Sequence, residues 1–261
     1  MEIKMTTMGL LIYITMFLYL LAMTFTIRKK SELGKKVFLL GFTVAVVSFV
    51  YRYIDVAHWP MQNLFEVFMS LGLFIYPISI LSEKYLNVRG GASDMLLGVV
   101  ILFPAGFVFT AEPQQLPPAL QSWLFAPHVA VYMISYVLMA KAAIQAGFQL
   151  KETNNKLSGE YEQATYNMVR VGFPFLTLGL ILGSWWGKLA WGDFWAWDPK
   201  ELWSLISWLI FVGYLHVRYM FGRKYSRYNS YLAILGMVAI ILTLLWVNLS
   251  KLFPGLHNYA S

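Results

Sequence analysis

Seven of the ten tryptophans in this chain lie close together, between Trp185 and Trp208. Indole rings bury much surface with little loss of side-chain entropy, so such a cluster can form a platform for a large planar ligand. The alternative is an interfacial aromatic belt, which is common at both surfaces of a membrane. A belt spreads over several segments, whereas these tryptophans share one stretch with Gly192 and Asp198. The spacing therefore favours the platform, and the belt remains the alternative.

The histidines are the side chains that could bind a metal ion, and there are four: His58, His128, His216 and His257. Two neutral imidazoles can supply both axial ligands of a heme iron. His128 and His257 are the candidate pair, because both are expected at the membrane surface that carries the tryptophans. A zinc site is the competing interpretation, but no cysteine, no HExxH motif and no histidine pair at helical spacing supports it.

His216 differs from the other three because it lies within an apolar segment. If that helix begins near Glu201, His216 is about 22 Å along it, towards the surface opposite the tryptophans. Ionisable residues within a span are costly and usually mark a site or a pathway. The alternative is structural, with the imidazole bonded to a neighbouring helix. His58 is interpreted as a structural residue of a loop.

The sequence Asp198-Pro199-Lys200-Glu201 has the pattern of a helix start. Asp198 suits the N-cap, Pro199 the first helical position, and Glu201 the reciprocal carboxylate of a capping box. We therefore predict that a helix begins here and that the cap fixes how the tryptophan-rich loop meets it. The alternative is an acid–base role for Asp198 or Glu201.

These residues must be positioned by membrane helices, as the composition shows. Only 13% of the residues are charged and the mean hydropathy is +0.59, whereas a soluble domain usually carries about 25% charged residues. The chain has no cysteine, so it has no disulfide and no thiol nucleophile of its own. Any thiol chemistry would use thiols from a partner.

Apolar runs of roughly 20 residues recur along the chain, and unsatisfied backbone groups are costly in lipid, so each run is predicted to be a helix. The sequence predicts an all-α polytopic membrane protein, one membrane domain over 1–261, with about eight transmembrane helices. The predicted spans are 8–27, 37–54, 63–82, 93–110, 127–147, 171–187, 201–220 and 231–249. The first is read as a retained anchor, and 185–203 is predicted to be a tryptophan-rich outer loop.

The distribution of lysines and arginines predicts the orientation of these spans in the membrane. Most of them fall in the connections after spans one, three, five and seven. The positive-inside rule therefore places both termini on the outer, periplasmic or lumenal, side. The same distribution explains the net charge of +7 and argues against a nucleic-acid partner.

The stretch from Trp191 to His216 closely resembles the WWD signature of the heme-handling proteins of cytochrome c biogenesis. The core pattern WGxxWxWDxxE is matched by Trp191, Gly192, Trp195, Trp197, Asp198 and Glu201. Within that superfamily the chain resembles the CcsA (ResC) family of system II. The further features are AHWPMQNLFE after span two, Pro-His at the start of span five, and GLHNYA in the tail where the family often has GLHSYA. Together they reach from about Arg52 to the C-terminus.

The resemblance implies roles for particular residues. His128 and His257 match the outer-face axial ligands of heme, here heme b. His216 matches the intramembrane histidine that pairs with a histidine of a CcsB (ResB) partner. The resemblance also implies that the porphyrin is held by the residues of the WWD segment, namely Trp185, Trp186, Trp191, Trp195, Trp197 and Asp198. It assigns no ligand role to His58, and the departures at Ala57 and Asn258 touch no implied ligand.

The expected function is heme binding and presentation at the outer face for covalent attachment to an apocytochrome c with a CxxCH motif, together with the CcsB partner. The chain would then be at most the heme-binding half of a cytochrome c heme lyase. One alternative is a CcmC-like exporter that passes heme to a chaperone; another is a transporter or membrane subunit without heme. The expected location is the bacterial plasma membrane, with the thylakoid membrane as the alternative.

Overall fold

The structure, a computed structural model, describes residues 3–88 and 90–246, and the regular secondary structure of this part is entirely helical. The helices are α1 (Thr7–Ile27), α2 (Ser31–Val56), α3 (Leu64–Leu86), α4 (Ala92–Phe107), α5 (Phe125–Lys151), α6 (Asn155–Trp191), α7 (Pro199–Phe221) and α8 (Ser226–Ile241), with a short 3-10 turn at Pro118–Leu120 and a π turn at Leu242–Trp246.

Each of the eight predicted spans overlaps a helix of the described residues, which confirms the prediction of an all-helical polytopic membrane protein. Positions 247–249 of the eighth predicted span lie outside the described residues. Seven of these helices, the eighth counted with its π turn, are long and apolar enough to cross a membrane. The shorter apolar helix is α4, whose 16 residues extend for about 24 Å. Prolines lie inside α3, α4 and α6. Membrane helices tolerate proline where neighbouring groups satisfy the carbonyl oxygen that has lost its helical hydrogen bond.

Helix α6 is much longer than the predicted sixth span at 171–187. It begins at Asn155, capped by the side chain of Asn154, and its 37 residues extend for about 55 Å. The first four turns are amphipathic, with Ala164, Met168 and Val169 buried among polar residues. Hydropathy alone therefore does not show this part of the helix.

The predicted outer loop at 185–203 is shorter in the structure. Helix α6 continues to Trp191 and α7 begins at Pro199, so only residues 192–198 are non-helical. The physical reason is that tryptophan is compatible with a helix, so the helix continues through Trp185, Trp186 and Trp191. It ends at Gly192, which adopts a left-handed conformation with φ of 92°.

The helices pack as two compact units, and the single membrane domain over 1–261 stays a prediction. The amino-terminal unit comprises Met1–Tyr85 and Arg89–Pro118, and the carboxy-terminal unit comprises Leu86–Val88 and Ala119–Ser261. Consecutive helices pack as hairpins, α1 with α2 and α5 with α6. Packing between near neighbours in the chain gives each group of four helices its own interior.

The amino-terminal unit packs around Tyr19 of α1, which is fully buried. Its ring lies against Gly41 of α2 and Gly98 of α4, where a Cβ atom would come within 2.7 Å of the ring. Its hydroxyl donates to the carbonyl oxygen of Gly72 in α3, at 3.4 Å. Glycine at these positions lets one aromatic side chain touch three helices.

In the carboxy-terminal unit, α5 and α6 run antiparallel, since His128 contacts Gly179 and Phe148 contacts Tyr161. We call the end where α5 and α7 begin the tryptophan end, and the opposite end the basic end. At the basic end Glu162 is buried and binds both Arg218 and Arg223, at 2.6 and 2.9 Å. This segregation of charge supports the predicted orientation, with the tryptophan end outside.

Candidate functional site

The imidazole of His128 is fixed by a backbone carbonyl of the neighbouring helix. His128 lies in the first turns of α5, and its Nδ1 is 2.9 Å from the carbonyl oxygen of Gly179 in α6. Because a carbonyl oxygen can only accept, Nδ1 carries the proton and the lone pair is on Nε2. Histidines that bind a metal through one nitrogen usually donate from the other in this way. The tautomer and the ring orientation therefore suit an axial ligand.

A row of glycines on α6 creates the space for this contact. Gly179, Gly183 and Gly187 follow one another at intervals of four residues, on one face of the helix. A Cβ atom at Gly183 would lie 2.5 Å from Cε1 of His128, and one at Gly179 would lie 2.8 Å from the ring of Tyr132. Gly179 and Gly183 thus allow Tyr132 and His128 of α5 to lie directly against the α6 backbone, whereas Gly187 faces Asp193 and Trp191.

Trp186 and Trp191 pack behind His128 rather than forming an open platform. Trp186 is only 2% exposed, and its ring is stacked on the imidazole with the centroids 5.8 Å apart. Its Nε1 donates to the carbonyl oxygen of Ala119, at 2.8 Å, while Trp191 meets it edge-on at 4.8 Å. Trp186 therefore holds the imidazole in place, and Trp191 packs against Trp186.

Other tryptophans at this end are exposed and could contact a ligand. Trp185 is half-exposed and lies edge-on to Trp123, with the centroids 5.6 Å apart. Trp197 is 66% exposed and lies edge-on to the partly buried Trp195, at 6.1 Å. Trp123 was missed by the sequence analysis because it lies outside the tryptophan-rich stretch, and only its position before Pro127 and His128 could have indicated it.

The segment 192–198 is held by a capping box, as predicted. Asp198 caps α7, and its side chain accepts from the backbone N–H of Lys200 at 2.9 Å. Glu201 accepts from the N–H groups of both Ala196 and Asp198, at 2.8 and 3.2 Å. Trp197, between these two, has a left-handed backbone with φ of 57°. Glu201 therefore stabilises the turn that projects Trp197 away from the protein.

Replacing Asp198 with alanine is expected to loosen this turn and to destabilise the protein by about 1 kcal/mol, since the N-cap hydrogen bond is lost. Cleavage by a protease at 192–198 should become faster, and the thermal midpoint in detergent should fall. Asp193→Ala is the matched control, because Asp193 is exposed in the same segment. Equal behaviour of the two variants would show that the cap does not hold the loop.

Within the described residues of the carboxy-terminal unit, the second histidine is His216, and it does not lie beside His128. His216 is exposed on α7, about 25 Å from the start of that helix, so it lies towards the basic end. His257 lies outside the described residues. His58 belongs to the amino-terminal unit, and its Nδ1 is 3.0 Å from the carbonyl oxygen of Trp59.

No group of three or more histidine, cysteine, aspartate or glutamate residues that could hold a metal ion occurs within residues 3–88 and 90–246. A groove of about 640 Å³ opens in the amino-terminal unit beside Tyr51, Asp55 and Glu112, and none of the predicted ligand residues lines it. The candidate site of the described residues is therefore the tryptophan end around His128.

The fold and the site define a polytopic helical membrane protein with one oriented histidine beside exposed tryptophans. The family model described as "Cytochrome C assembly protein" matches residues 4–254, and the chain belongs to this family, whose role is in cytochrome c biogenesis. The chain is 31% identical to the "Cytochrome c biogenesis protein CcsA" of Guillardia theta, over 86% of this chain and 87% of the relative. The protein of the same name from Mesostigma viride is 30% identical, over 95% and 93%, and that from Synechococcus elongatus is 29% identical, over 80% and 81%.

Proposed function

We propose that this protein binds heme b at the outer face of the membrane and presents it for covalent attachment to apocytochrome c, as the heme-binding half of a synthase with a CcsB-like partner. The observation that carries the proposal is the hydrogen bond from Nδ1 of His128 to the carbonyl oxygen of Gly179. Because Nδ1 carries the proton, Nε2 is the nitrogen with the lone pair that would bind iron. Heme is the substrate that the site orients, and the family's role in cytochrome c biogenesis supports this choice.

The residues of the chain would bind and orient this substrate. His128 and His257 are the proposed axial ligands, and the exposed rings of Trp185, Trp197 and Trp123 would contact the porphyrin faces. Exclusion of water by these rings strengthens the polar contacts inside the site. The protein thus contributes binding and orientation, whereas the reactive atoms belong to heme and to the apocytochrome.

The thiols of the reaction would come from the CxxCH motif of the apocytochrome, because the chain has no cysteine. Each thioether bond forms by addition of a thiol S–H across a vinyl C=C bond of the porphyrin, with no net oxidation. The histidine of the CxxCH motif would then replace one of the two axial imidazoles. The exposed position of Trp197, held by Glu201, leaves this face accessible from the outside.

The exposed face of α7 is the proposed contact with the partner. Only 17% of the apolar stretch of α7 that could cross the membrane is buried, which is the smallest share among the seven candidate spans. His216 lies on the same helical face as Leu209, Gly213 and Met220, and no atom lies within 4 Å of a Cβ built at Gly213. A partner helix could therefore approach closely here and supply a second imidazole opposite His216.

The proposed location is the plasma membrane of a bacterium, with the thylakoid membrane as the alternative. In either membrane the multi-pass arrangement would be the same. The basic end would face the inner compartment, where heme would meet His216, and the tryptophan end would face the compartment in which cytochromes c are completed.

The optical spectrum of the protein purified with its partner tests the proposal. Wild type should show a low-spin bis-histidine heme. His128→Ala should lose the low-spin spectrum of heme at the tryptophan end and regain it when free imidazole is added. His216→Ala should show the same low-spin spectrum with a smaller amount of heme. His58→Ala is the control, since the Nδ1 of His58 is engaged by a local carbonyl.

Three outcomes would contradict the proposal. Heme-free wild type would favour a transporter without heme, and an unchanged spectrum in His128→Ala would remove the axial assignment. Heme that is transferred to a soluble chaperone, with no thioether bond formed on a CxxCH reporter, would favour the CcmC-like alternative.

A further inference from the structure

The groove of the amino-terminal unit has no part in the proposed heme site. Three chain segments form its walls: positions 3–8 at the start of α1, the last turns of α2 with Tyr51 and Asp55, and positions 108–113, which follow the end of α4. Its volume of about 640 Å³ is within the range of ligand sites. All of these positions belong to one compact unit, so the composition of the lining indicates what the groove could bind.

The groove lies where membrane helices reach the surface of the membrane. Beside it α1 begins, and α2 and α4 end; α1 and α2 are candidate membrane spans. The ends of such helices lie at the level of the lipid headgroups. The apolar lining residues Ile3, Met5 and Val108 are exposed, so the groove is open to its surroundings. The molecules that reach it at the highest concentration are therefore bilayer lipids.

The charges of the described lining favour a ligand that carries a cation. Asp55 is 3.3 Å from a terminal nitrogen of Arg52, but the charge of Arg52 is already balanced by the buried Glu66, at 2.9 Å. Glu112 is exposed, and Arg52 binds its backbone carbonyl oxygen rather than its carboxylate. The described lining thus has two carboxylates and one ammonium, that of Lys4.

We propose that this groove binds the headgroup of phosphatidylethanolamine. The primary ammonium would donate to the carboxylates of Asp55 and Glu112 and contact the half-exposed ring of Tyr51, since aromatic rings attract cations. Lys4 supplies a cation for the phosphate, in addition to its bond to the carbonyl oxygen of Gly106. A choline headgroup has no N–H to donate and a glycerol headgroup has no cation, so both should bind more weakly. The proposal does not depend on the heme function.

Native mass spectrometry of the full chain tests the headgroup preference. Delipidated protein is mixed with equal amounts of phosphatidylethanolamine, phosphatidylcholine and phosphatidylglycerol that have identical acyl chains. Wild type should retain the ethanolamine lipid about two- to fivefold more than either of the others, as expected for exposed ion pairs. Glu112→Gln should lower this ratio, and Glu112→Gln with Asp55→Asn should abolish it. Glu32→Gln is the matched control, because Glu32 is exposed at the opposite end of α2.

The location of the lipid is tested by filling the groove. Val108→Trp should reduce retention of the ethanolamine lipid, whereas Val100→Trp should not. Both valines are 59% exposed, but only Val108 lines the groove. The two tryptophan variants therefore differ in the groove and not in the exposure of the replaced side chain.

Four results would overturn the proposal. Wild type that retains the three lipids equally would remove the headgroup preference, and a ratio unchanged in the double carboxylate variant would remove the role of Asp55 and Glu112. Equal retention by Val108→Trp and Val100→Trp would place the lipid elsewhere. Saturable binding of a lysine-rich peptide that is lost in Val108→Trp, with no lipid preference, would assign the groove to a polypeptide. None of these measurements uses bound heme, so they are separable from the test of the heme site.

Discussion

Replacing Gly183 with valine is expected to remove heme from the tryptophan end as completely as replacing His128 with alanine. A Cβ atom at position 183 would lie 2.5 Å from Cε1 and 2.9 Å from Nδ1 of His128, so the imidazole must move. The ring would then lose its hydrogen bond to Gly179 and its stacking on Trp186. The lost contacts and the overpacking together cost about 1–3 kcal/mol.

The measurement is the heme content and the low-spin spectrum of the purified Gly183→Val variant. Heme occupancy should fall by about tenfold or more, since each 1.4 kcal/mol corresponds to a factor of ten. Gly147→Val in α5 is the matched control, because no atom lies within 4 Å of a Cβ built there. Free imidazole should partly restore the spectrum of Gly183→Val, which would show that the axial ligand is displaced while the fold persists. A normal spectrum in this variant would mean that the position of His128 is not decisive.

Replacing Glu66 with leucine is expected to be the most destabilising change in the amino-terminal unit. Arg52 of α2 is fully buried, and Glu66 of α3 accepts from its Nε and one terminal nitrogen, at 3.0 and 2.9 Å. The other terminal nitrogen donates to the carbonyl of Ala111 at 2.6 Å. Removal of Glu66 leaves the buried guanidinium with only the partly exposed Asp55 as a carboxylate partner, at 3.3 Å, and loss of the buried partner costs about 3–5 kcal/mol.

Thermal unfolding in detergent should show this loss as a clear fall in the midpoint temperature. The double replacement Arg52→Met with Glu66→Leu should recover much of the stability, because apolar side chains of similar volume replace a desolvated pair. Lys35→Met is the control: its ion pair with Glu83 is exposed, 46% and 40% for the two side chains, and should contribute at most about 1 kcal/mol. Equal midpoints for Glu66→Leu and Lys35→Met would show that the buried pair does not stabilise the unit.

The buried pair has a structural task that the lipid environment makes necessary. The guanidinium of Arg52 joins α2 to α3 through Glu66 and to the chain after α4 through Ala111 and Glu112. Glu66 also accepts from the backbone N–H of Gln62 at 2.9 Å. One ion pair therefore holds Gln62 and Glu66, at the end of the segment AHWPMQNLFE, in place.

The sequence by itself determined the elements that depend on local interactions. Each apolar run became a helix because backbone groups in lipid can be satisfied only within the segment. The capping box at Asp198 and Glu201 was predictable because its donors and acceptors lie within a few residues of one another. The start of α6 was not, since its amphipathic turns are stabilised by packing against α5 rather than by their own hydropathy.

Only the tertiary structure decided which side chains meet. The contact between His128 and Gly179 joins positions 51 residues apart, and the residue types alone do not tell a ligand from a structural histidine. The same applies to the tryptophans: Trp186 and Trp197 belong to one stretch, yet packing buries Trp186 and leaves Trp197 exposed. Local pattern specifies helices because their hydrogen bonds are local, whereas the tautomer, the exposure and the neighbours of a side chain depend on where another helix lies.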